Sequence, residues 1–265
     1  MKITLTFNPS ELRSRVACDL VSHGGRQKAL RVVVIDVLRA CSTITHALSQ
    51  GCRAIYPFAS VRGCLQKARE LGRDRVILGG ERGGLRIKGF QLGNSPLEYT
   101  REVIGGKDVL FTTTNCTKNL NTITRLGKPK EVLICSLLNL PAVADYLVRS
   151  MESSPPKADV AGGLVHLALS GTEGEVSLED VICGGMLIHR LVGAYGHTPL
   201  LSDSARLAHV TYLHYKDNPH QALLDSTHGR RLIELGMKRD VDFCGRVGIY
   251  SCIPRFARGV IRLRG

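Results

Sequence analysis

Asp36 stands at the end of an apolar run, Val32-Val33-Val34-Ile35, and Arg39 follows in the polar stretch that closes with Cys41-Ser42-Thr43. A carboxylate in that place offers hard oxygen to a divalent cation or serves as a nucleophile. A guanidinium beside it can clamp an oxyanion through two parallel hydrogen bonds. The plainer alternative is an Asp that caps the next turn or pairs with Arg39, and this stretch alone leaves both open. The theme returns where Val109 to Phe111 runs into Thr112-Thr113-Thr114-Asn115-Cys116-Thr117, a loop of hydroxyl and amide donors.

Two further loops carry charge. Gly79-Gly80-Glu81-Arg82-Gly83-Gly84 follows an apolar run from Val76. Its glycines let the backbone approach a ligand closely, although a flexible turn is the simpler reading. Ser170-Gly171-Thr172-Glu173-Gly174 follows the run from Leu164, and Glu179 and Asp180 open the next helical pattern. Acidic residues in a first turn commonly serve only the helix dipole. That reading is favoured for Asp180 and less so for Glu173, which sits between glycines.

Several known chemistries are excluded. Leu38 occupies the position where haloacid-dehalogenase-type phosphatases need a second Asp. Cys252 and Arg258 have the spacing of cysteine phosphatases, but Ile253-Pro254-Arg255-Phe256-Ala257 is no Gly-rich cradle. A Gly-x-x-x-x-Gly-Lys-Ser/Thr loop is absent. Nine cysteines without a Cys-x-x-Cys pair argue against zinc. The histidines, His189, His209, His214 and His228 among them, lack metal spacing and read as surface or capping residues.

Bringing these loops to one rim requires strands that each feed a helix, and the pattern supplies them. Strands are expected at Val32 to Asp36, Ala54 to Pro57, Val76 to Leu78, Val109 to Thr113, Val132 to Cys135 and Leu164 to Leu169. A helix starts at Ser60 and stops at Gly72; another starts at Ser177 and ends near Gly193 or Gly196. Ser95-Pro96-Leu97-Glu98 combines an N-cap, a first-turn Pro and a capping-box Glu. Leu207, Ala208 and Tyr212 mark a packed helix. The fold class is therefore α/β, layered α/β/α around a largely parallel or mixed sheet. One domain over 1–265 is expected, with two lobes as an option and a boundary near 150–157. In such a sheet the strand C-termini and helix N-termini gather on one edge, where exposed amides suit an oxyanion.

Composition narrows the class. Hydrophobic residues make up 43% of the chain but aromatics only 5%, and Trp is absent, so the core must be aliphatic, as in parallel sheets. No apolar run approaches the ~18 residues of a membrane span. The N-terminus alternates like a strand rather than a signal peptide, so a cytoplasmic location is expected. Lys and Arg number 36 against 23 Asp and Glu, a net charge of +13. Such a surface steers small polyanions or attracts nucleic acid. The basic residues are dispersed, densest at Arg230-Arg231 and Arg255 to Arg264, without interleaved aromatics, which weighs against nucleic acid.

Six blocks together resemble the 2-phosphosulfolactate phosphatase family: IDVLRACST (35–43), GGERGGLRIKGFQLGNSP (79–96), FTTTNCTKNL (111–120), LLNLPAVADYL (137–147), SGTEGEVSLEDVICGGML (170–187) and HGRRLIELGMKRDVDFC (228–244). Each is weak alone, and the ordered set is specific. The resemblance implies a Mg2+-dependent hydrolase of a small anionic phosphate ester, linked to coenzyme M biosynthesis. The expected catalytic residues are Asp36, Arg39, Glu81 and Arg82, and the expected metal ligands are Asp36, Glu81 and Glu173. Substrate contacts are expected from Ser42, Thr43, Asn94, Ser95, Thr114, Asn115, Thr117 and Thr172. The expected partner is the phosphate ester, with no membrane and no nucleic acid; a homodimer is left open. A non-catalytic polyanion or nucleic-acid binder on the same fold is the alternative. Cys41 and Cys116 depart from the smaller residues expected there, and a positive φ at 116 would strain a Cys.

Overall fold

Every residue of Leu30–Ile35 is buried, as a strand covered on both faces requires. Val33 and Ile35 point into one apolar layer, Val32 and Val34 into another. The structure, a computed structural model, describes residues 1–20, 30–72, 75–126, 129–152, 163–194 and 199–264. Its strands are β1 (Lys2–Thr6), β2 (Leu30–Ile35), β3 (Ala54–Pro57), β4 (Val76–Arg82), β5 (Leu85–Arg86), β6 (Asp108–Thr112), β7 (Glu131–Cys135), β8 (Leu164–Leu169), β9 (Leu200–Leu201), β10 (Pro254–Ala257) and β11 (Val260–Leu263). Its helices are α1 (Pro9–Leu20), α2 (Ala40–Ser49), α3 (Val61–Leu71), α4 (Arg101–Ile104), α5 (Cys116–Leu126), α6 (Leu140–Glu152), α7 (Leu178–Ala194), α8 (Asp203–Tyr215), α9 (Pro219–Asp225), α10 (Thr227–Glu234) and α11 (Lys238–Cys244).

The sheet runs β5-β4-β6-β3-β11-β10-β7-β2-β8-β1-β9. Two parallel blocks, β4-β6-β3 and β7-β2-β8-β1-β9, are joined through the antiparallel hairpin β10-β11. The mixed α/β class expected from the pattern is therefore the one observed. One layer packs α6, α7 and the C-terminal helices on β1, β2, β7 and β8; the other packs α2 and α5 on the opposite face.

The hairpin was not apparent as strands in the sequence, where Arg255 to Arg264 reads as a basic cluster. Alternation explains it: Phe256 and Ile261 are buried while Arg255 and Arg262 project outward. Arg258 and Gly259, both at positive φ, close the two-residue turn. β4 continues past Leu78 because Gly79 and Gly80 still pair with β6. The Gly-rich stretch is thus strand first and turn second. A Cβ on Gly80, at φ 144°, would lie 2.0 Å from the Thr112 carbonyl oxygen.

Two local expectations are corrected. Pro96–Glu98 forms only a 3-10 turn, and Ser95 makes no side-chain cap. Its hydroxyl instead donates to Asp240 Oδ1 at 2.6 Å, and the Glu98 carboxylate accepts from the Gly93 amide. Leu207 is exposed on α8, whereas Ala208 and Tyr212 are buried as expected. Ser60 does cap α3, accepting from the Gly63 amide. The candidate boundary at 150–157 falls partly on α6, and its residues 153–157 lie outside the described ones.

Helices α7 and α8 cross closely at Gly185, where a Cβ would sit 2.1 Å from the Ala208 carbonyl oxygen and 2.6 Å from the Tyr212 Cβ. Gly185→Val is expected to force the pair apart, at about 1–3 kcal/mol for an overpacked contact. Thermal unfolding should show the midpoint falling by several degrees, about 2–4 °C for each kcal/mol in a chain near this size. An unchanged midpoint would show that the crossing tolerates a side chain.

Candidate active site

Asp36, Glu81, Thr112 to Asn115 and Ser170 to Thr172 all follow or end parallel strands, so the topology brings them to one edge of the sheet. In a flat sheet β6 and β2 would be five strand spacings apart, about 24 Å. The Cys116 amide at the start of α5 nevertheless lies near enough to Asp36, at the end of β2, to favour its charged form. Asn119 of α5 also donates to the Leu169 carbonyl of β8 at 3.2 Å. The sheet must therefore curl until the two blocks share a rim, with α5 across it.

Carboxylates dominate the floor of this rim, and backbone amides hold them. Asp36 Oδ1 accepts from the Ala40 amide at 2.9 Å. Glu81 accepts from the Thr114 amide at 2.8 Å and the Gly84 amide at 2.9 Å. Asp180 accepts from Val37 at 2.8 Å, Gly171 at 3.1 Å and Ser170 at 3.2 Å. Burial pushes the Asp36 carboxyl up to about 6, with the Glu81 charge adding to the effect. Glu179, buried and with Oε2 unpartnered, is pushed up to about 7 by desolvation and by Asp36. Asp180 is raised by desolvation and then by the charges of Asp36 and Glu179.

The opposite side comes from the loop before α2 and from α10. Arg39 is buried; its Nη1 donates to Asp240 Oδ2 at 2.5 Å and its Nη2 to the Gly84 carbonyl at 2.6 Å. On α10, Arg231 donates to Glu173 at 2.8 Å. His228 is held neutral by burial and by the Arg39 charge, and its Nδ1 has no partner. Between these groups lies a hollow of about 60 Å³ that Asp36, Arg39, Glu81, His228 and Arg231 line.

Of the residues expected at the site, Asn94, Thr114, Asn115, Thr172 and Glu173 also line this hollow. Others stand behind it as supports: Ser42 donates to Val37, Thr43 to Asn94 and Thr117 to Thr113, each to a carbonyl. Ser95 faces a neighbouring groove. Arg82 is exposed and turned to Thr112 Oγ1, because Glu81 takes the inward position and strand alternation sends the next residue out. Glu173 has a side chain 63% exposed and held by Arg231, at φ 55°.

The reading of Asp180 as a dipole partner is corrected, since its carboxylate binds three loop amides. That of His228 as a surface residue is corrected too, since it lines the hollow. Glu179, His228 and Arg231 carried no motif that marks chemistry; only the fold brings α7 and α10 to the rim. Cys116 is not at positive φ, so the strain expected there is absent. Its thiol lies 3.9 Å from that of Cys41, and burial pushes the Cys41 thiol up, keeping it protonated.

A hard cation fits this donor set. Asp36 and Glu81 face one hollow with like charges, and Asn94 Oδ1, Thr113 Oγ1 and Thr114 Oγ1 beside them are buried without partners. These are oxygen donors only. Among the described residues no three His, Cys, Asp or Glu side chains cluster closely enough to hold an ion unaided. No helix of the described residues is long and apolar enough to cross a membrane.

Comparison with known proteins places the chain among relatives of one description. A family model described as 2-phosphosulpholactate phosphatase matches residues 18–259. A probable 2-phosphosulfolactate phosphatase of Clostridium acetobutylicum is 34% identical over 261 residues, covering 98% of this chain and 100% of the relative. Proteins of the same description from Thermotoga petrophila and Symbiobacterium thermophilum are each 37% identical over 232 residues. They cover 88% and 87% of this chain, and 91% and 93% of those relatives.

The buried carboxylates make stability depend on pH in a defined direction. Asp36 rises from 3.8 to about 6 and Glu179 from 4.5 to about 7 on folding, so the folded state binds the extra protons. Their contribution to stability therefore falls as pH rises through about 4 to 7. In chelator, the unfolding midpoint of the metal-free protein is expected to be higher at pH 6 than at pH 8. Asp36→Asn should shrink that difference in calorimetry. A midpoint that climbs steadily toward pH 8 would contradict the raised pair.

Proposed function

The chain belongs to the 2-phosphosulpholactate phosphatase family, and from that premise we propose that it hydrolyses 2-phosphosulfolactate to sulfolactate and phosphate with Mg2+. The observation that carries the reading is the hollow where Asp36 and Glu81 meet Arg39 and His228. A monoester with three acidic groups needs positive charge around it, and a buried carboxylate pair needs a cation between it and the phosphoryl oxygens. Mg2+ held by Asp36 and Glu81 would neutralise phosphoryl oxygens and fix the group for in-line displacement.

The protein's own groups complete the site. Arg39, locked by Asp240 and the Gly84 carbonyl, keeps its guanidinium at the edge of the hollow with little freedom to lose on binding. The Thr114 hydroxyl and the Asn115 side-chain amide, which line the hollow, would supply neutral donors to phosphoryl oxygens. Neutral His228, with a bare Nδ1, is the group suited to accept a proton from attacking water. Glu173 and Arg231 close the opposite side as an ion pair. Nothing in this arrangement favours a non-catalytic binder.

Phosphate release from 2-phosphosulfolactate is expected to stop in EDTA and to return with Mg2+. Asp36→Asn should lower kcat by on the order of 10²-fold or more, the scale of removing one preorganised charge at a phosphoryl centre. Full activity of Asp36→Asn, or indifference to chelation, would sink the assignment. His228→Gln is expected to lower kcat by about 10²-fold, the lower range for a general base, and to remove the acid limb of the pH–rate profile. A retained acid limb would assign that ionisation elsewhere.

A further inference from the structure

We propose that the acidic end of the substrate, its carboxylate and sulfonate, is held outside the hollow in the adjoining groove, by Arg86 of β5 and Arg239 of α11. The inference rests on the hydrolase reading above and adds where specificity for a doubly acidic ester is decided. Size makes the first argument. A cavity of about 150 Å³ takes one benzene molecule, so the hollow of about 60 Å³ accommodates a phosphoryl group but not the three-carbon diacid attached to it. The remainder must lie in an opening continuous with the hollow.

Two openings qualify. A groove of about 640 Å³ shares Arg39, Gly84 and Asn94 with the hollow. A second, of about 480 Å³, shares Thr172, Glu173, His228 and Arg231. Charge decides between them. In the second, Arg231 is already paired with Glu173, which leaves Glu175, Glu179 and Asp225 with no free cationic side chain to receive a sulfonate. The first carries Arg39, Arg86 and Arg239. Its two carboxylates are engaged: Asp240 by Arg39 and Ser95, Glu98 by the Gly93 amide.

The two exposed arginines are available. Arg86 makes one long bond, 3.3 Å to the Gln91 carbonyl, and Arg239 has no ion-pair partner among the described residues. They come from different elements lining one groove, so two anionic groups on adjacent carbons can each meet a guanidinium fork. Buried Arg39 borders both spaces and would stand between the phosphoryl group and the acidic tail.

The test compares 2-phosphosulfolactate with 2-phospholactate, which has hydrogen in place of the sulfonate. In the native protein kcat/KM is expected to favour the sulfonated ester. In Arg86→Ala/Arg239→Ala the ratio of the two kcat/KM values should fall by tenfold or more, while Arg69→Ala, on the exposed face of α3, leaves it unchanged. Calorimetric binding of sulfolactate should weaken at least tenfold in the double variant, with the unfolding midpoint close to native. An unchanged ratio with unchanged sulfolactate affinity would overturn the groove assignment and leave the phosphatase intact. Native protein that binds sulfolactate through these arginines yet releases no phosphate would keep the groove and overturn the hydrolase reading.

Discussion

Holding several carboxylates in a desolvated space at the ends of central strands is the constraint on which this structure turns. Charged groups leave water only where hydrogen bonds or opposite charge replace the lost solvation. Here the replacements are amides from separate loops: Ala40 for Asp36, Thr114 and Gly84 for Glu81, and Val37, Ser170 and Gly171 for Asp180. Two of these bonds, Thr114 to Glu81 and Val37 to Asp180, tie separate strand ends together, and the others close single loops. The curl of the sheet and the placement of α5 follow from that requirement, because strands distant in the sheet order must deliver their loops to the same few ångströms. The amides do not fully offset the burial, since Asp36 and Glu179 remain displaced toward neutrality. A site left in that condition favours a cation.

The scaffold was largely legible because its signals are local. Runs such as Val32 to Ile35 and Leu164 to Leu169 can only be strands buried on both faces, and Ser60 announces its cap. Asp36, Arg39 and Glu81 were legible because strand-end position is itself a signal in parallel sheets. What escaped depends on tertiary placement. Glu179 and Asp180 look like ordinary first-turn acids until α7 docks them beneath two loops. His228 and Arg231 sit in a helix whose pattern says only that Leu232 is inward. Arg82 turned outward because β4 continues through it, so two neighbouring charges cannot both face inward, and the glycines had hidden that extension. The hairpin β10-β11 was hidden by its arginines, whose charge drew attention from the alternation beneath.

Cys41 and Cys116 illustrate how a departure from an expected residue can be absorbed. Both are wholly buried at the starts of α2 and α5, beneath the loops that hold Asp36. Cys116 begins a helix in ordinary right-handed space, so no glycine is required. The Cys41 thiol points to the Val34 carbonyl at 3.5 Å and to its neighbour's sulfur, and a raised ionisation keeps it neutral. In that state the pair behaves as two small hydrophobes filling the joint between helices. Their effect on the site is therefore steric support of the Asp36 loop rather than chemistry.

The charge surplus of +13 and the acidic floor of the site act at different ranges. Far from the protein a polyanionic ester senses the net field, which draws it in and weakens with salt over about 8–10 Å. Close in, the field is local and of mixed sign: arginines on one side of Arg39, carboxylates on the other. An anion that arrives alone would meet Asp36 and Glu81 as repulsion, which a cation held by those two carboxylates would offset. Net charge by itself would make this chain a general polyanion binder. In the proposed reading, the buried carboxylates would convert that attraction into selectivity for phosphoryl groups accompanied by a metal ion.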